Sequence, residues 1–233
     1  MTNISDIKNR YSESYNSMLP TLPGLELDWM KILRDDAIKQ FHQDGFPDKS
    51  VEEWNVNSFR GLMDIFYNTQ QENSYEIDLS SIEKKDPDCL VRVIFNNGKI
   101  INIEHDELPK GVKVNSLNFF IKNNPDFLKG KIKPANEYSE SRLSNIIDSR
   151  PQSIVALNAA FHEDGAIVNI DKNIEVPGYI ELMHIGDYTD NTMKHIRSVI
   201  FLDKGSKCEV IENIQSHKNN NMVFTSNVAD IHL

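Results

Sequence analysis

The sequence predicts an α+β protein in which helices come first and strands last. Three observations carry that reading. Apolar residues in the first third recur at helical spacing, two β-rich runs flank Asn96-Asn97-Gly98, and from Ala166 onward only short strands and turns remain.

Ile4, Ile7, Tyr11, Tyr15 and Met18 form the stripe of a first helix, which "LPTLPG" interrupts. Asp28 is placed to cap a second, with Trp29, Leu33, Ala37 and Phe41 on one face and Gly45 followed by Phe46-Pro47 at its end. Ser50 and Glu53 have capping-box spacing, so a short third helix is expected there. Near residue 75 the period changes: "SYEIDLSSI" alternates, and "CLVRVIFNNGKIINIEH" reads as a hairpin over about 90–103. Its Asn-Gly centre accepts the positive φ that a tight turn needs. "VKVNSLNFFIKNNPDFLKGKI" reads as short helical turns capped by Ser116.

Leu143, Ile146 and Ile147 share a face, Pro151 separates two helices, and Ile154, Val155, Leu157 and Phe161 line the second. Within "ALNAAFHEDGAIVNI" the period then switches from helix to strand, and Gly165 is placed to end the helix. "AIVNI", "IEV", "YIELMHI", "IRSVIFL", "KCEVIENI" and "VFTSNVADIHL" follow as short strands of a sandwich, a barrel or a parallel solenoid. The expected division is a helical and mixed region over 1–150, hairpin included, and a connecting helix with the β core over 151–233.

The 233 residues, 39% hydrophobic and 26% charged, suffice for one large domain or two small ones. There is no apolar run long enough to span a bilayer and no apolar signal core at the N-terminus, so a cytoplasmic protein without a membrane partner is expected. Cys89 and Cys208 lie far apart, against a disulfide framework or a Cys-rich zinc site. A net charge of −10 argues against nucleic-acid binding. Phosphate-loop, dinucleotide and nucleophile-elbow motifs are absent.

An ordered set of segments resembles a known family. "FHQDGFPDKSVEEWNVNSFRGL", with a Phe-Pro pair before an acidic-acidic-Trp motif, "VRVIFNNGKIINIEHDELPKGVKVNSLNFFI", "ALNAAFHEDGAIVNI", "RSVIFLDKGSKCEVIE" and "VFTSNVADIHL" are similar to the SufB/SufD proteins of iron–sulfur cluster assembly. The acidic-acidic-Trp segment and the Asn-Gly hairpin resemble the SufD branch more than SufB. "EWNVNSF" departs from the pattern, which has a basic residue and Tyr after the Trp.

The resemblance implies a right-handed parallel β-helix after the N-terminal region, with the helix through Phe161 docked on its first rung. It implies a scaffold subunit rather than an enzyme, pairing with a SufB-like protein and coupled to a SufC-like ATPase. The iron–sulfur cluster would sit transiently on the full complex, with none bound by this chain alone, and the resemblance admits a part in iron acquisition. Against the longer family proteins the chain reads as truncated inside the β-helix. An uncapped last rung is expected to make it aggregate or dimerise through that edge.

Candidate chemistry is sparse, and no catalytic, cofactor-binding or metal residue is nominated. His162, Glu163 and Asp164 are adjacent, so their side chains diverge and chelate poorly. "IEHDE" at 103–107 reads as a solvated turn. His184, His195 and Cys208 could hold iron only if stacked rungs brought them together. Trp29 and Trp54 read as core anchors. The alternatives are a polysaccharide lyase or hydrolase on a β-helix, or a solenoid interaction module. The first needs paired carboxylates or a calcium-binding acidic cluster, and Glu181, Glu209, Glu212 and Asp230 show no common register.

Overall fold

The computed structural model describes residues 4–47, 50–51, 54, 65–69, 77–135, 152–186, 191–216 and 223–233. Helices α1 (Ile4–Met18) and α2 (Asp28–Asp44) form as their stripes predict. Ile7, Tyr11, Tyr15 and Met18 of α1 are buried against Met30, Leu33, Ala37, Ile38 and Phe41 of α2. Tyr11 meets Phe41, Phe46 and Phe161 edge to face at 5.5–6.5 Å, pairs worth about 0.5–1.5 kcal/mol each beyond their buried area. Asp28 is the first residue of α2 rather than its cap and makes no capping bond; its charge there still favours the positive helix end. Gly45 closes α2 through a 2.7 Å bond from its N–H to Phe41 O.

Of the expected third helix, only a turn lies within the described residues, closed by Trp54 N–H on Val51 O at 3.0 Å. The helix expected around Leu143–Ile147 and the separator Pro151 lie outside them. The alternation of "SYEIDLSSI" does not make a strand where it is described. Asp78 instead caps a 3-10 turn over Leu79–Ser81, its side chain accepting from Ser80 N–H. Ile77 and Ile82 on either side pack on Ile94, Met183 and Ile185.

Strands β1 (Cys89–Asn96) and β2 (Lys99–His105) form the expected hairpin. Asn97 and Gly98 take φ of 51° and 82° at its tip. "VKVNS" is strand β3 (Val112–Ser116) rather than a helical turn, since Val112 and Val114 alternate into an apolar core. Ser116 then caps α3 (Leu117–Asn123), its hydroxyl accepting from Phe119 N–H at 3.0 Å. The short α4 (Pro125–Leu128) follows. Helix α5 (Ser153–Phe161) precedes β4 (Ala166–Ile170), β5 (Glu175–Gly186), β6 (Thr192–Leu202), β7 (Lys207–Ser216) and β8 (Val223–His232). "IEV" and "YIELMHI" are thus one strand, irregular in register between Glu175 and Tyr179.

These strands make two four-stranded sheets, ordered β2-β1-β5-β7 and β3-β4-β6-β8. From β4 onward consecutive strands alternate between the sheets, and each pairs in parallel with the strand two places away. Neither sheet is closed or curled on itself; the fold is α+β with two mixed sheets. Val91, Val93, Phe95, Ile180 and Leu182 of one sheet face Val114, Val168, Ile170, Ile196 and Ile200 of the other. The opposite face of the second sheet, through Ile167, Met193 and Val199, joins the core of the helices. The layers therefore run helices, β3-β4-β6-β8, then β2-β1-β5-β7.

Candidate functional site

Buried polar groups concentrate where α5 hands the chain to β4. The helix ends at Phe161, four residues before the glycine expected to stop it, with extended backbone at His162 (φ −56°, ψ 132°). Gly165 serves another purpose: a Cβ there would stand 1.8 Å from Arg197 O, so only glycine lets β4 start this close to β6. On α5 itself, Asn158 Nδ2 donates to Ile196 O (3.0 Å) and Ser226 O (2.8 Å), fastening the helix to β6 and β8.

The three side chains of "HEDG" go separate ways. His162 is fully buried; its Nδ1 faces Ala159 O at 3.0 Å, and its Nε2 lies 3.4 Å from Arg34 Nη2. Burial first, then the cations Arg34 and Arg197, hold its pKa well below the usual histidine range. The neutral ring that donates at Nδ1 and accepts at Nε2 satisfies both contacts. Glu163 pairs with Lys99 at 2.8 Å. Asp164 accepts from the backbone N–H groups of Gly165 (2.9 Å), Ile100 (3.2 Å) and Asn118 (3.4 Å), tying β4, β2 and α3 together. Burial pushes its carboxyl above the usual range against the pull of those donors.

Sequence reasoning missed the group that organises this junction. Arg34 is fully buried inside α2 and donates to Ala160 O (2.9 Å), His162 O (3.0 Å) and Pro23 O (3.1 Å). Burial brings its pKa down only to about 10, so it stays charged at neutral pH. The available signal was position: Arg34 lies on the stripe of Met30, Leu33, Ala37 and Ile38, where a cation is out of place. Among the described residues Arg197 and Arg92 are the other two buried arginines. Arg197 pairs with Asp230 at 2.7 Å and Arg92 with Glu181 at 2.5 Å.

The candidate iron ligands do not converge. His184 faces the inter-sheet core, stacked on Phe95, with Nε2 2.9 Å from Glu212 Oε1. Glu212 is held below its ordinary pKa chiefly by His184. The ring of His195 lies on the other face of the helix-side sheet, stacked on Phe161. Cys208 is six ladder positions from Ile214, the partner of His184, roughly 20 Å at strand spacing. Burial pushes its thiol up to about 11 and raises that of Cys89, so both are protonated at neutral pH rather than ligating thiolates. His105 in "IEHDE" is exposed, as expected of a solvated turn. Trp29 packs at the edge of the helical core and Trp54 is half-buried.

Among the described residues no group of three or more His, Cys, Asp or Glu could hold a metal ion. Nor, among them, is any helix long and apolar enough to cross a membrane. Glu181 takes Arg92 and Asn213 on the outer face of its sheet, Glu212 points between the sheets, and Asp230 faces the helices. These carboxylates therefore do not flank a common cleft. The arrangement holds elements in place, with the charges of Arg34, Arg92, Glu163, Asp164 and Arg197 paired or spent on backbone groups.

A helical layer packed on one of two mixed sheets, with buried arginines tying elements together, defines an α+β protein. No curated protein matches the chain. Residues 5–182 match the family described as SufBD protein N-terminal region, and the chain belongs to that family. The matched region is common to SufB and SufD proteins, which take part in iron–sulfur cluster assembly, and does not choose between them.

Proposed function

We propose that this chain is a SufD-type scaffold subunit of an iron–sulfur cluster assembly complex. The family match over 5–182 carries the reading. In it, the chain pairs with a SufB-like protein, receives ATP-driven motion from a SufC-like ATPase and supports cluster assembly and iron acquisition without turning over substrate itself. The cluster belongs to the whole complex, in the cytoplasm.

The proposal includes a parallel β-helix. Strands that alternate between two sheets and pair in parallel with every second neighbour are what successive rungs require, and β4 to β8 meet that requirement. Residues 1–150 then form the helical and mixed region and 151–233 the connecting helix and the start of the solenoid, with β1 to β3 extending the same two sheets. The SufD assignment rests on the Asn-Gly hairpin and the acidic-acidic-Trp segment around Trp54. A tag at the native locus and affinity capture test the whole. Recovery of SufB-like and SufC-like proteins together is expected. Capture of unrelated partners, with neither of these, overturns it.

A further inference from the structure

Among the described residues, the edge of β6 nearest the helix junction is paired at two points and open between them. Met193 N–H bonds Asn68 O at 2.9 Å, and Arg197 N–H bonds Asp164 O at 3.0 Å. In a parallel ladder alternate residues point their N–H and C=O to the same side. The backbone N–H of His195 therefore faces this same edge, between the two bridges. Among the described residues, Asn68↔Thr192 and Asp164↔Ile196 are isolated bridges, and no strand continues across the space between them.

The β1–β2 turn closes the gap from one side and Phe161 from the other, leaving about 10 Å³ of free space. That is room for one water or one monatomic ion. Its walls are rich in buried polar groups with nothing to bond. Both amide atoms of Asn97 and both ring nitrogens of His195 lack a partner, although the two residues are only 5% exposed. Lys194, 7% exposed, reaches the gap from the inter-sheet side, its stem beside Gly98, and makes no ion pair among the described residues. The carboxylate in the wall, Glu163, is engaged by Lys99. Lys99 also lies within electrostatic reach of Asp164 and Lys194 within that of Glu163, so among the described residues Lys194 has a carboxylate nearby but no ion pair of its own.

Buried polar groups left without partners, an ammonium without an ion pair among them, are costly. We propose that this gap is a binding site for one halide-sized monoanion, such as chloride. The ion accepts from Lys194 Nζ, Asn97 Nδ2 and His195 N–H, and completes the interrupted ladder between Asn68 and Asp164. It stands independently of any role in cluster assembly, because every group it uses lies within this chain.

Bromide is the probe, since its anomalous scattering locates it directly. Crystals of the whole chain grown in bromide show an anomalous peak bounded by Asn97, Lys194 and His195. In solution at constant ionic strength, replacing gluconate by bromide at ten times its half-saturating concentration raises the folding constant about tenfold. Lys194→Gln removes both effects. Asn97→Asp keeps the left-handed turn residue that the tip needs and builds a carboxylate into the gap; it abolishes the bromide response and raises stability in halide-free buffer. No peak at the gap, equal stability in gluconate and bromide, or an undiminished bromide response in Asn97→Asp overturns the proposal and leaves the gap to a water molecule.

Discussion

Removing Arg197 alone, and then together with its partner, tests the claim that buried arginines hold these layers together. Arg197 grips Asp230 through Nε at 2.7 Å and Nη2 at 3.2 Å, with both side chains fully buried. Nη2 also donates to Lys133 O at 2.7 Å, and Lys133 N–H returns a 3.2 Å bond to Asp230. Arg197→Met takes the buried guanidinium away from the Asp230 carboxylate, a loss of about 3–5 kcal/mol. With a urea slope of about 2 kcal/mol/M the denaturation midpoint falls by roughly 2 M. Arg197→Met with Asp230→Leu removes the carboxylate as well. Lys133 is half-buried, so water can reach its freed backbone groups, and the double variant should stand within about 2 kcal/mol of the parent. The measurement is urea unfolding followed by circular dichroism for all three proteins. A single variant that loses under about 1 kcal/mol, or a double variant as weak as the single, refutes the reasoning.

Gly165→Ala drives a Cβ onto Arg197 O and should cost at least about 3 kcal/mol, because backbone and not a side chain must move; thermal unfolding within 2 °C of the parent would contradict this (a shift of about 1 kcal/mol in a domain this size). His195 supplies a pH test. Its folded pKa is lowered from 6.5 to about 3, chiefly by burial and then by Lys194. A histidine kept neutral in the folded state contributes its full stability above the unfolded pKa and loses it as pH falls from about 6.5 toward about 3, by roughly 1.4 kcal/mol per pH unit. His195→Phe, which keeps the stack on Phe161, should therefore gain on the parent at pH 5 relative to pH 8; equal differences at the two pH values would count against a neutral buried ring.

What the sequence made legible was periodic or punctuated. The α1 stripe, the Asn-Gly hairpin and the strands from Ala166 onward each carry their signal in a short window. β3 was misread because "VKVNS" is too short for its alternation to outweigh the helical pattern following it, and only pairing with β4 makes it a strand. Gly165 was read as a helix stop by local rule, whereas its role depends on Arg197, a residue 32 positions away. The arginines were hidden for the same reason. Arg34 and Ala160 are separated by 126 residues, so neither reveals the other in sequence. His162, Glu163 and Asp164 diverge as adjacency requires, which local geometry alone could foresee.

The pairing of β1 with β5 also sets a timetable. Arg92 and Glu181 are 89 residues apart, while β5 and β7 pair across about thirty. At typical rates of synthesis, about 5–20 residues per second, the hairpin waits roughly 4–18 seconds for its parallel neighbour to leave the ribosome. Through that interval β1, with Val91, Val93 and Phe95, presents an open edge, while Arg92 has Glu104 of β2 within 3.9 Å in the finished fold. Nascent chains paused in this window are where a holding chaperone has most to bind, and once β5 arrives each later strand needs only a neighbour already in place.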